Sequence, residues 1–211
     1  MILWSSWRSP FLCVITDEAY WPVTLAEQAL KGGAAMIQLR HKTASGSQLF
    51  AWAVAIGKLC SEYHALFIIN DRVDIALASK ADGVHLGQDD LPAAAARKLL
   101  GNSRIIGVSA SSVEEAVQAE KDGADYIGFG HIYPTVSKLK EHAPLGPDNL
   151  QKTVESLSLP VVAIGGITIE NAPILISRGA AGVAVISAVS RAEVPSKAAS
   201  ELLSALQKSL P

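Results

Sequence analysis

Four times in this chain an amphipathic segment passes through glycine, or Asp-Gly, and enters a short apolar run with no intervening loop: "KGGAAMIQL", "KADGVHLG", "KDGADYIGFG" and "SRGAAGVAVIS". Each reads as a helix tail delivered straight into a strand, with glycine near the helix C-cap, where a left-handed backbone costs no Cβ clash. Further apolar runs, "FLCVIT", "LFIIN", "RIIGV" and "PVVAIGG", bring the count of strand candidates to eight. All eight are continuously apolar rather than alternating, as strands covered on both faces must be. Helical segments such as "TLAEQALKG", "SVEEAVQAEKDG" and "IENAPILISRG" fall between them. In "SVEEAVQAEKDG", Val113, Ala116 and Val117 mark an apolar stripe, Ser111 or Ser112 can cap the start, and Gly123 the end.

Eight strands each followed by a helix predict an α/β fold, a single-domain (β/α)8 TIM barrel over residues 1–211. The competing architecture is a doubly wound open sheet, but that fold carries a glycine-rich first turn and "CVITDEAYWP" has none. A chain of 211 residues, 49% hydrophobic, suffices for a sizeable core. The net charge of −2 offers no electrostatic face for nucleic acid, so any phosphate site must be local. Cys13 and Cys60 form no metal-ligand spacing and read as reduced thiols, which favours a cytoplasmic location. "LFAWAVAIGKLC" is too short to span a bilayer, and the N-terminal "MILWSSWRSPFLCVITD" lacks a cleavage site, so no membrane partner is expected. Homo-oligomerisation is left open.

A barrel places its chemistry at the C-terminal ends of its strands. Those ends read "QLRHK", "NDR", "GQDD", "GVSAS", "PTVSK", "GGI" and "ISA". If the second strand persists, Gln38, Arg40 and Lys42 alternate onto one side, and a guanidinium beside an ammonium suits a phosphate or diphosphate. Lys138 adds a cation from another loop. Asp71 and Asp90 close neighbouring strands, where two carboxylates beside cations suit Mg²⁺ bridging diphosphate oxygens, or else pair with those cations. Asp89 competes with Asp90, while Asp74 belongs to the start of the next helix. Thr135, Ser137 and the backbone N–H groups of Gly165, Gly166, Ile186 and Ser187 can hold a phosphate. Two phosphorylated small-molecule substrates are implied.

In order along the chain, "QLRHK", "NDRVDIALASKADGVHLGQDD", "GVSAS", "PTVSK", "AIGGI" and "GVAVISA" resemble thiamine phosphate synthase. The resemblance implies a transferase that joins a hydroxymethylpyrimidine diphosphate to a thiazole phosphate and releases diphosphate. Carbon dioxide leaves as well when the thiazole is carboxylated. It implies that Gln38, Leu39, Arg40, His41, Lys42, Asn70, Ser109 and Lys138 hold the pyrimidine diphosphate and that Asp71 and Asp90 bind Mg²⁺. It assigns the thiazole phosphate to Thr135, Val136, Ser137, Gly166, Ile186 and Ser187, with Arg40 and Lys138 carrying the catalytic charge. Two departures stand out. Ser137 replaces the family's usual threonine, and His131 in "GFGHIYPT" is similar to the proton-moving histidine of the related thiazole tautomerase. A tautomerase working through His131, and a non-catalytic barrel that binds thiamine intermediates, are the two alternative readings.

Overall fold

The protein is described by a computed structural model covering residues 10–135 and 143–208. The first nine residues of the N-terminal stretch, and Val136, Ser137 and Lys138, lie outside the described residues. The chain alternates through β1 (Phe11–Ile15), α1 (Pro22–Lys31), β2 (Met36–Leu39), α2 (Gly46–Glu62), β3 (Leu66–Asn70), α3 (Val73–Ser79), β4 (Gly83–Leu86) and α4 (Ala93–Leu100). It continues through β5 (Ile105–Ala110), α5 (Val113–Lys121), β6 (Tyr126–Gly130), α6 (Gly146–Glu155), β7 (Val161–Ile164), α7 (Ala172–Ser177) and β8 (Gly182–Val185). A short α8 (Ser187–Ser190) precedes α9 (Pro195–Gln207). Each strand pairs in parallel with the next, and β8 pairs with β1, so the sheet closes. That closure excludes the open doubly wound sheet.

Closure divides the apolar residues into two layers. One lies between strands and helices and includes Leu12, Val14, Ile37, Leu39, Phe67 and Ile127. The other fills the barrel with Phe11, Cys13, Met36, Leu66, Ile68 and Val162. Successive side chains of one strand alternate between them, so both faces are apolar and the sequence shows no alternation. Ser112 caps α5 by accepting the Glu115 N–H at 3.2 Å. Ser45 and Gln48 form a reciprocal capping box at α2. Among the described residues, no helix is long and apolar enough to cross a membrane.

Arg97 of α4 ties the connections at the opposite, N-terminal end of the barrel. It donates to the carbonyls of Gly101 at 2.9 Å, Arg104 at 2.7 Å and Gly123 at 3.0 Å, and it pairs with Asp125. The Asp125 carboxylate also accepts the Ile106 N–H at 2.7 Å, so one cation anchors the starts of β5 and β6. Arg97→Met is expected to cost about 2 kcal/mol, the loss of several charge-assisted bonds discounted for partial exposure. Urea unfolding measures it, and turnover of the folded variant should be unchanged.

Candidate active site at the barrel mouth

The inward phase of the strands opens toward their C-terminal ends into a cavity of about 560 Å³. Its floor is apolar, with Cys13, Ile15, Met36, Val162 and Ala184. Burial pushes the Cys13 thiol up to about 12, so it is not a thiolate nucleophile at neutral pH. Cys60 is likewise raised to about 12 by burial.

Eight of the residues that the resemblance assigns to the site line this cavity. Gln38, Arg40, Asn70 and Ser109 come from the exits of β2, β3 and β5. Thr135, Gly166, Ile186 and Ser187 come from the exits of β6, β7 and β8. Arg40 is half-buried, and its backbone is fixed by Thr16, whose hydroxyl accepts the Arg40 N–H at 2.8 Å and donates to its carbonyl at 2.9 Å.

Three neighbours of Arg40 lie elsewhere. Leu39 packs outward into the helix-facing layer. His41 stacks on Trp52 at 5.1 Å and accepts the Ala44 N–H through Nδ1. Lys42 is exposed, and its N–H donates to Glu18 at 2.8 Å. The alternation expected of Gln38, Arg40 and Lys42 ends because β2 stops at Leu39.

Asp71 and Asp90 sit in the loops after β3 and β4, outside the cavity lining. Asp71 adopts φ +62 with its N–H on the His85 carbonyl at 2.8 Å. Left-handed backbone is uncommon outside glycine, though Asp and Asn tolerate it better than most residues. One oxygen of Asp90 accepts the Gly87 N–H at 2.7 Å. No group of three or more potential metal-ligating side chains occurs among the described residues. A pair of carboxylates still fits magnesium, which is commonly held by one or two carboxylates while phosphate oxygens and water complete its octahedron. Asp74 is taken up by Arg72, whose guanidinium donates at 2.9 and 2.6 Å and lowers the carboxyl pKa.

The exits of β6 and β7 are knitted together. Ile132 N–H donates to the Ile164 carbonyl at 2.9 Å, and Tyr133 N–H to that of Gly165 at 3.0 Å. Gly165 and Gly166 both take left-handed conformations, at φ +99 and +66. Side chains there would also collide with His131 and with the Tyr133–Pro134 backbone. His131 is buried and lines the same cavity.

Sequence reasoning passed over His85 and Tyr126, which also line it. Both turn inward, from β4 and β6, beside Ser109 of the intervening strand. The one available signal was histidine interrupting the apolar "GVHLG".

Fold and pocket together define a (β/α)8 barrel that gathers polar side chains and turn glycines from six strand exits around one small-molecule cavity. Residues 12–189 match the family model described as thiamine monophosphate synthase, and the chain belongs to that family. It is 61% identical over 202 residues to the thiamine-phosphate synthase of Chlorobium limicola, covering 96% of each chain. Against the thiamine-phosphate synthase of Chlorobium luteolum the identity is 61% over 196 residues, covering 93% of this chain and 92% of the relative. The solved thiamine phosphate pyrophosphorylase from Pyrococcus furiosus superposes with a TM-score of 0.88 at 44% identity, covering 95% of this chain and 97% of that one.

Proposed function

We propose that this protein is a transferase, a thiamine phosphate synthase that joins a pyrimidinylmethyl diphosphate to a thiazole phosphate. The C–O bond to diphosphate breaks, the thiazole nitrogen bonds to the freed methylene carbon, and diphosphate departs with the electron pair. The observation that carries this reading is that Arg40 on one side and Gly166 with Ser187 on the other open onto a single cavity. Arg40 and Asn70 bind the diphosphate, with Lys138 as a second cation. Their fixed charges and donors stabilise the negative charge growing on the leaving group. Thr135, Ser137 and the N–H groups of Gly166 and Ser187 bind the thiazole phosphate and orient its nitrogen. Asp71 and Asp90 would hold Mg²⁺, which would supply counter-charge to the diphosphate. The floor excludes water from the developing cation.

A second reading rests on His131, which lines the same cavity and could move a proton on a thiazole carboxylate. One assay separates the two. Diphosphate release is measured with each substrate omitted in turn. The synthase releases diphosphate with accompanying thiamine phosphate only when both substrates are present with Mg²⁺. Conversion of the thiazole alone, stopped by His131→Ala, would instead establish the tautomerase.

A further inference from the structure

Where β1 leaves the sheet, three consecutive side chains reach opposite ways around the barrel mouth. The β1–β8 pairing runs as far as Val14 and Val185, and the β1–β2 pairing as far as Ile15 and Gln38. Thr16 then ties the turn to the β2 exit. Its N–H donates to the Gln38 carbonyl at 2.9 Å, and its hydroxyl holds the backbone of Arg40. Glu18 adds a second tie on that side by accepting the Lys42 N–H. Asp17, between them, reaches the other way. Its Oδ2 accepts the Ser190 hydroxyl at 3.1 Å, joining residues 173 positions apart. Its Oδ1 accepts the Ala19 N–H at 3.1 Å, which steadies the carboxylate across its own turn.

Ser190 is buried and ends α8, the four-residue helix whose other end faces the cavity. Ile186, Ser187 and Ala188 form part of the cavity wall, whereas Asp17 lies outside that lining. A helix this short has too few bonds of its own to fix its orientation, so its surroundings must do it. Val189 is fully buried and sets how deep the segment sits. Apolar burial is non-directional, and the directional bond from Ser190 to Asp17 fixes the rotation.

We propose that Asp17 is a positioning residue which, through Ser190, aims the wall segment Ile186–Ala188 at the phosphate of one substrate, while Thr16 beside it aims Arg40 at the diphosphate of the other. The identity of the two substrates rests on the synthase reading. One turn thereby sets the separation between the two anion-binding walls of the cavity. Asp17 touches neither substrate and acts only through α8.

The first test needs no substrate. Hydrogen exchange of the full chain is followed amide by amide, and Ser190→Ala should speed exchange at Val189, Ser190 and Arg191 about tenfold, the worth of one hydrogen bond to a charged group. The Arg40 and Lys42 amides should exchange as in the parent. Unchanged exchange along α8 would overturn the clasp even where thiamine phosphate forms normally. In kinetics, Ser190→Ala should raise KM for the thiazole phosphate about tenfold, while kcat and KM for the pyrimidine diphosphate hold, the signature of uniform binding. Thr16→Val keeps the branched shape and loses the hydroxyl. It should instead lower kcat/KM for the pyrimidine diphosphate and leave KM for the thiazole phosphate in place. Asp17→Ala should raise the thiazole phosphate KM at least as far as Ser190→Ala does, and Ser190→Ala should add nothing in its background. Asp17→Asn, whose amide oxygen still accepts from Ser190, should recover most of the loss. Asp17 is only partly buried, so its variants serve if Ser190→Ala does not fold. Equal rises in both KM values, or losses that add in the double variant, would refute the role.

Discussion

Asp71→Asn is expected to lower turnover about 10²–10³-fold, the cost of removing one preorganised charge contact from a developing anion. Its melting temperature should stay within about 2 °C of the parent, because the change keeps the side-chain shape and the backbone hydrogen bond to His85. Asp71 sits at φ +62 with its N–H on the His85 carbonyl, and asparagine tolerates that backbone as aspartate does. What disappears is the negative charge available to magnesium. Weaker metal binding should show as a rightward shift in the Mg²⁺ dependence of diphosphate release, with part of the rate recovered at high Mg²⁺. Asp90→Asn is the companion variant, since an amide oxygen can still accept the Gly87 N–H that Asp90 takes at 2.7 Å. Parental rates and an unshifted Mg²⁺ dependence in both variants would make the two carboxylates loop residues only.

Gly166→Ala should damage stability and one substrate site together. The new Cβ would meet the Tyr133 and Pro134 backbone, and the residue would have to keep φ +66. Left-handed backbone costs about 1–2 kcal/mol for a residue with Cβ. Forced overpacking adds about 1–3 kcal/mol. A combined loss of about 2–5 kcal/mol in chemical denaturation is therefore expected. Relief of the clash must part the β6 and β7 exits, shifting Gly166 relative to Thr135 across the cavity lining that both share. KM for the thiazole phosphate should then rise about tenfold or more, while that for the pyrimidine diphosphate holds. Equal rises in both would indicate general distortion rather than a divided cavity.

Much of the barrel was readable before any coordinates. All eight apolar runs are strands, and Gly33, Gly123 and Gly179 end helices at φ +90, +89 and +90, as the repeated junction implied. The fourth junction, "KADG", works differently. There Lys80 takes the left-handed conformation at φ +59, and Asp82 accepts the Phe67 N–H at 2.8 Å. Gly83 instead begins β4, where a side chain would strike the Ile105 carbonyl. A glycine that permits a turn and one that permits a close strand look alike in sequence.

The mouth was legible in part. Strand-end polar residues stand out because the chain there leaves two apolar layers, which is how Gln38, Arg40, Asn70 and Ser109 were found. Lys42 was grouped with them by counting in twos, a rule that fails once β2 stops at Leu39. His85 and Tyr126 stayed hidden for the opposite reason. They lie within strands whose two faces are both apolar, so no periodicity marks which residues turn inward. The space they need comes from Gly107 and Gly128, which pair with no obvious partner until the register is known.

A crystal structure of the protein with Mg²⁺ and inorganic diphosphate tests the central claim most directly. Density for diphosphate is predicted between Arg40 and Asn70 at the mouth, with the metal bridging it to Asp71 and Asp90. Diphosphate bound elsewhere on the barrel, with the mouth left to solvent at saturating ligand, would contradict the account.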